Sequence, residues 1–230
     1  MADFASIAAV LSDRTRARIL EELMGGVPLP AGALAVRTGV AASTVSGHLA
    51  KLEGAGLVRI EPRGRRREVS LAGPHVAEAL EALGRLAPDM PPAVGLRAVT
   101  RREELRHARS CYDHLAGELG VRLADTLVAR GALTIRDGAF AVPRPAAGLY
   151  AELGVDVEAL EAGRRPLVRA CVDWTERRPH VAGALGAALL GSMLERRWLV
   201  RRDDGRALRV TPAGREAFAA LSGAALRAAS

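Results

Sequence analysis

The chain has 230 residues, room for two domains of ordinary size, and 49% of them are apolar, so burying a core is no constraint. A net charge of +7 and a pI near 10.7 suit a polyanionic partner, although arginine supplies every positive side chain except Lys51, a bias that a GC-rich genome would also produce. No apolar run reaches the ~18 residues of a membrane span, no signal peptide is legible, and Cys111 and Cys171 are too few for a disulfide framework, which predicts a cytoplasmic chain with free thiols and no membrane partner.

Phe4, Ile7, Ala8 and Leu11 fall at i, i+3, i+4 and i+7 and predict a first helix. Ser12 or Asp13 caps a second, which runs through Ile19, Leu20 and Leu23 to Gly25 and Gly26. Pro28 to Pro30 bend the chain into a short third helix with Leu34 and Val36 inward, ended at Gly39. A fourth, over about residues 42–55, buries Val45, Leu49 and Leu52. Within two turns it also carries Ser43, Thr44, Ser46, His48 and Lys51, short donors and acceptors of the kind that reach base edges in the major groove. Capping would account for Ser43, but it leaves Ser46, His48 and Lys51 without a role.

Leu57, Val58 and Ile60 then start a strand, Pro62 to Arg65 turn it, and Val69 and Leu71 return it as a two-stranded wing. Arg63, Arg65, Arg66 and Arg67 crowd its tip. They repel one another unless a polyanion is at hand, and they fit phosphates or a narrow minor groove. A fifth helix after Pro74 bears the stripe Val76, Leu80, Leu83, with His75 alone at its start.

Together, residues 11–20 (LSDRTRARIL), 43–49 (STVSGHL), 51–58 (KLEGAGLV) and the arginine hairpin resemble the ArsR family of winged helix-turn-helix transcriptional repressors, over roughly residues 5–85. The resemblance implies a homodimer, paired through the first and fifth helices, that occupies a palindromic operator in double-stranded DNA and leaves it when an effector binds. Metal-sensing members carry a Cys-x-Cys pair on the third helix or an Asp/His set along the fifth. This chain has neither, so no metal and no cofactor is expected.

Pro88, Pro91 and Pro92 mark a linker at 87–96, dividing a DNA-binding and dimerisation domain at 1–86 from an effector-sensing or dimer-stabilising domain at 97–230. Composition makes residues 97–115 helical, which places His107, Cys111 and His114 on one face. Beyond lies an internal repeat, about 114–145 and 180–212. The stretch from His114 to Gly120 matches that from His180 to Gly186, and Cys111 and Asp113 correspond to Cys171 and Asp173, with an insert from Trp174 to Pro179 in the second copy. Each copy reads as a helix followed by a hairpin, with Leu185 and Leu189 in a core and the pairs Gly117/Gly120 and Gly183/Gly186 allowing close approach. The predicted fold is therefore mainly α with small β-hairpin wings: a winged helix-turn-helix plus a C-terminal α+β domain of two helix-hairpin repeats.

Cys111, Asp113, His114, Cys171, Asp173 and His180 form the candidate effector or redox set. Three readings stand: a tetrahedral metal site, a thiol switch, or buried cysteines with hydrogen-bonded Asp and His. Tyr112, Tyr150, Trp174 and Trp198 are candidate pocket walls. Arg164, Arg165, Arg169, Arg177 and Arg178 would attract an anion or pair with Glu158, Glu161 and Glu176. The sequence thus predicts a sequence-specific dimeric repressor with an unknown effector, whether small molecule, thiol oxidant or metal. A non-specific architectural DNA-binding protein is the rival, and with no catalytic motif legible an enzyme is not expected.

Overall fold

Asp13 accepts the backbone N–H of Arg16 at 2.9 Å and so starts α2 (Arg14–Leu23), with α1 (Phe4–Leu11) before it and α3 (Ala31–Thr38) after. In the computed structural model the described residues are 3–64, 66–87, 95–144, 147–202 and 205–228, without the side chains of 97, 147 and 224–228. Gly39, at φ 73°, closes α3 in left-handed geometry and lets the chain turn into α4 (Ala42–Gly54). Strands β2 (Val58–Arg63) and β3 (Arg66–Leu71) pair antiparallel over six residues each. The wing has a third strand, β1 (Leu29–Pro30), paired with Glu68 and Val69, where the sequence suggested two. Helix α5 (Pro74–Leu86) follows, with proline at its start. Ile19, Leu20, Leu23, Leu34, Val45, Leu49, Leu52 and Val69 form the first core. Val36, expected inward, is 83% exposed, because it sits on the outer face of the short α3.

Helix α6 spans Leu96–His107 and stops there, so the predicted single helix to residue 115 is wrong. Ala108 turns extended, and β4 (Arg109–Cys111) and β5 (His114–Ala116) form a hairpin in its place. Tertiary contacts impose this. The Tyr112 N–H donates to the Met24 carbonyl at 2.6 Å while Tyr112 holds a φ of 58°, uncommon for a non-glycine residue, and its ring packs on the first core.

Helix α7 (Glu118–Ala129) and the hairpin of β6 (Thr134–Arg136) and β7 (Ala139–Ala141) complete the first copy of the repeat. Two short helices, α8 (Ala147–Glu152) and α9 (Val157–Glu161), lead to the second. It has the same order: β8 (Arg169–Val172) with β9 (Pro179–Ala182), then α10 (Gly183–Glu195), then β10 (Leu199–Arg201) with β11 (Leu208–Val210), and finally α11 (Pro212–Ala228). Each unit is thus hairpin, helix, hairpin, one hairpin more than the sequence suggested. The copies interlock, since α7 packs on β9 and α10 packs on β5. Gly120 and Gly186 permit this: a Cβ on Gly120 would sit 2.6 Å from the Leu115 carbonyl oxygen and 3.6 Å from His180 Cβ, and one on Gly186 would sit 2.4 Å from the Val181 carbonyl oxygen and 3.0 Å from His114 Cβ. Tyr150, Leu127, Leu133, Leu185, Leu189 and Leu199 anchor this second core. The linker prolines Pro88, Pro91 and Pro92, the wing-tip Arg65 and the turn residue Asp204 lie outside the described residues.

The two cores are joined closely. Ser110 Oγ and Arg201 both donate to the Gly25 carbonyl, and Arg101 pairs with the buried Glu22 at 2.6 Å. A Cβ on Gly26, at φ +71°, would lie 1.9 Å from the Tyr112 carbonyl oxygen. Gly26→Ala is therefore expected to cost ~1–2 kcal/mol in left-handed strain and about 1 kcal/mol more for the displaced Tyr112 hydrogen bond. Urea unfolding measures this, and an unchanged midpoint would refute the docking of Tyr112 on α2.

Candidate functional site

Helix α4 presents one face to solvent and buries the other: Val45, Leu49 and Leu52 are at most 2% exposed, while Ser43, Thr44, Gly47 and Lys51 are exposed. The residue before the helix, Ala41, makes no side-chain cap, and the Ser43 hydroxyl is not spent on capping. Ser46 and His48 are half-buried. Ser46 Oγ donates to the Ala42 carbonyl at 3.0 Å, and His48 Nδ1 lies 3.6 Å from Asp13 at the start of α2. At the wing tip Arg66 and Arg67 are exposed, whereas Arg63 pairs with Glu68 at 3.1 Å. On the single chain, Phe4 of α1 is 82% exposed and Leu86 of α5 83%, so both helices carry uncovered apolar side chains.

The C-terminal set converges. Cys111 and His114 face each other across β4 and β5, and Cys171 and His180 face each other across β8 and β9. The interlocked copies bring the two hairpins together, with the His114 and His180 rings stacked 5.1 Å apart. One ligand atom from each of the four residues, two thiol sulfurs and two ring nitrogens, lies within 4.8 Å of the other three. His107 is not on this face; it ends α6 and pairs with Glu118 at 3.3 Å. Both cysteines are free thiols.

Each histidine has a carboxylate behind it. His114 Nδ1 is 3.2 Å from Asp113, and His180 Nδ1 is 3.7 Å from Asp173. His114 Nε2 and both His180 ring nitrogens are buried without a hydrogen-bond partner among the described residues. Hydrogen bonding, burial and neighbouring charge together sort the titrations. Cys171 pushes Cys111 well above the usual thiol range, as do burial and the Glu81 carboxylate. Cys171 in turn is held far below that range by Cys111, against the cost of burial, and by the two imidazoles. Burial works against charge on His114, yet Asp113 and Cys171 raise it overall. A cleft of about 140 Å³ reaches the set between the copies and α5, lined by Pro74, Glu78 and Glu81 on one side and Arg165 and Arg169 on the other.

Asp173 is fully buried and is held by a fan of donors. Arg109 meets it at 2.8 Å, the Gly117 N–H at 2.7 Å, and Thr175 through both backbone and hydroxyl. Burial alone would raise its carboxyl, but Arg109 and these hydrogen bonds hold it well below the usual carboxylate range. Arg109 is itself fully buried, donates to the Leu105 carbonyl and lies over the Trp174 ring at 4.8 Å. Sequence reasoning did not place Arg109 against Asp173 and missed Glu81, which resembles the many solvated charges around it. The other aromatic candidates are accounted for by packing: Tyr150 donates to the buried Ala132 carbonyl at 2.7 Å, and Trp198 packs edge-on with Phe218. The arginines pair across elements rather than with their sequence neighbours, Arg165 with Asp113, Arg169 with Glu78 and Arg178 with Asp125.

Residues 11–61 match the family model described as a helix-turn-helix domain. The chain is 42% identical over 216 residues to the uncharacterized HTH-type transcriptional regulator YdfF of Bacillus subtilis, covering 94% of this chain and 95% of that one. The HTH-type transcriptional regulator CmtR of Mycobacterium bovis is 44% identical over 79 residues, which are 34% of this chain and 66% of the relative. Among solved structures, the homodimeric winged helix-turn-helix DNA-binding domain of a possible ArsR-family regulator from M. bovis is 32% identical, at a TM-score of 0.33, over 36% of this chain and 74% of that one. A relative matched along nearly its whole length makes the chain a member of the HTH-type transcriptional regulators, with a helix-turn-helix and wing of the geometry described and an additional C-terminal domain.

Proposed function

We propose that the protein is a cytoplasmic, homodimeric repressor that reads a palindromic operator through α4 and the wing, releases it when an effector acts on the C-terminal domain, and catalyses no reaction. The observation that carries this is the division of α4, whose buried Leu49 and Leu52 fix the helix while Ser43, Thr44 and Lys51 are exposed on the opposite side. Base contact then falls to Ser43, Thr44 and Lys51, with Ser46 and His48 flanking them, and phosphate contact to Arg63, Arg65, Arg66 and Arg67. The uncovered apolar side chains of α1 and α5 support pairing of two subunits. Cys111, Asp113, His114, Cys171, Asp173 and His180, reached by the cleft beside α5, are the proposed effector-responsive set.

Selection from a random DNA pool tests the reading. Enrichment of an inverted repeat, with half-sites about one helical turn apart, is the expected result. A steep salt dependence with no enriched sequence would establish the architectural alternative instead. Arg66→Ala with Arg67→Ala is expected to weaken binding to all sequences and to flatten the slope of log affinity against log salt by roughly one unit per lost phosphate contact. An unchanged slope would make the wing tip a solvated turn.

A further inference from the structure

The structure assigns Cys111, His114, Cys171 and His180 as a closed tetrahedral site for a zinc-class divalent cation, each copy of the repeat supplying one thiolate and one imidazole. The sequence left this open as one of three readings of the set while assigning no metal ligands, and the site stands whatever α4 reads. Two thiolates and two imidazoles in tetrahedral array suit zinc above the harder divalent cations. Bonds of ~2.0–2.3 Å imply tetrahedron edges of roughly 3.3–3.8 Å, so atoms already within 4.8 Å need to close by about an ångström.

The buried nitrogens decide between the remaining readings. A Cys111–Cys171 disulfide would use the sulfurs and leave His114 Nε2 and the His180 ring without partners, and a purely structural core would leave them so as well. A metal takes up one nitrogen from each ring. Asp113, 3.2 Å from His114 Nδ1, then orients that imidazole as a carboxylate–histidine–metal site requires, while Asp173 stands 3.7 Å from His180 Nδ1. The cleft beside α5 gives the ion a way in. With four protein ligands the site has no open position for substrate, so the ion fastens the two hairpins to each other beside α5.

The test uses the full-length chain, purified reduced and without chelator. Elemental analysis is expected to find one zinc per chain, removable by chelator, and refilling with Co²⁺ is expected to give the intense visible absorption of tetrahedral thiolate coordination. Cys171→Ser, His114→Gln and His180→Gln are each expected to reduce bound metal to background. Because such variants can fail to fold, Asp113→Asn provides the second measurement: it keeps all four ligands and is expected to weaken zinc binding ~10–100-fold with the Co²⁺ spectrum retained. A reduced wild-type chain that takes up neither zinc nor Co²⁺ would overturn the assignment. So would an unchanged Co²⁺ spectrum in folded His114→Gln and His180→Gln, or zinc affinity unaltered in Asp113→Asn.

Discussion

Arg109→Met is expected to destabilise the chain by ~3–5 kcal/mol, because it leaves the Asp173 carboxylate buried without its counter-charge. Both side chains are fully buried, so water cannot take over. The N–H of Gly117 and the Thr175 donors remain and keep the cost toward the lower end of that range. For a chain of this size the loss corresponds to a fall in Tm of roughly 6–20 °C. Pairing the change with Asp173→Asn removes the stranded charge and is expected to recover much of the loss, a pattern that a double-mutant cycle resolves. If Arg109→Met alone lowered the unfolding free energy by less than about 1 kcal/mol, the buried Arg109–Asp173 pair would not carry the counter-charge role given to it.

The second large effect falls on DNA. Ser43→Ala combined with Thr44→Ala is expected to erase ~1–3 kcal/mol of discrimination per half-site, roughly 5- to 150-fold, and twice that in free energy in a dimer, while affinity for random DNA changes little. Lys51→Ala is expected to lower discrimination as well and, through the lost charge, to weaken binding to random DNA too. The sequence alone put the weight on Ser46 and His48. The structure moves it outward, since the Ser46 hydroxyl is committed to Ala42 and the His48 ring leans on Asp13. Competitive binding of operator and scrambled duplexes measures the ratio, and a ratio unchanged by Ser43→Ala with Thr44→Ala would remove α4 as the reader.

The N-terminal half was legible because its determinants are local. Helical spacing of apolar residues, an aspartate cap, Gly39 in left-handed geometry and a β-strand alternation each report their own element. The hairpins at Cys111 and Cys171 were not legible, because β4 and β5 are three residues each and the turn at Tyr112 is held from outside by Met24. A helical composition from Leu96 onward had nothing nearby to contradict it. The chemically capable residues were nevertheless recognisable, since the repeat marked Cys, Asp and His twice. Only the interlock of α7 on β9 and α10 on β5, which no spacing encodes, brings the two marks to one point.

That interlock bears on how such a molecule can arise. One hairpin offers a single sulfur and a single imidazole, half of an enclosure, so an isolated unit could complete it only by meeting another unit in solution at whatever concentration the cell supplies. Carrying both halves on one polypeptide fixes their mutual encounter at the millimolar-scale effective concentration typical of short tethers, independent of expression level. Copies held in this way are also free to diverge, and the insert from Trp174 to Pro179 is where they have: it gives one half the Thr175 and Trp174 contacts to the Asp173–Arg109 pair that the other half lacks. The junction therefore carries two distinguishable carboxylates, Asp173 sealed from solvent and Asp113 half-buried and paired with Arg165.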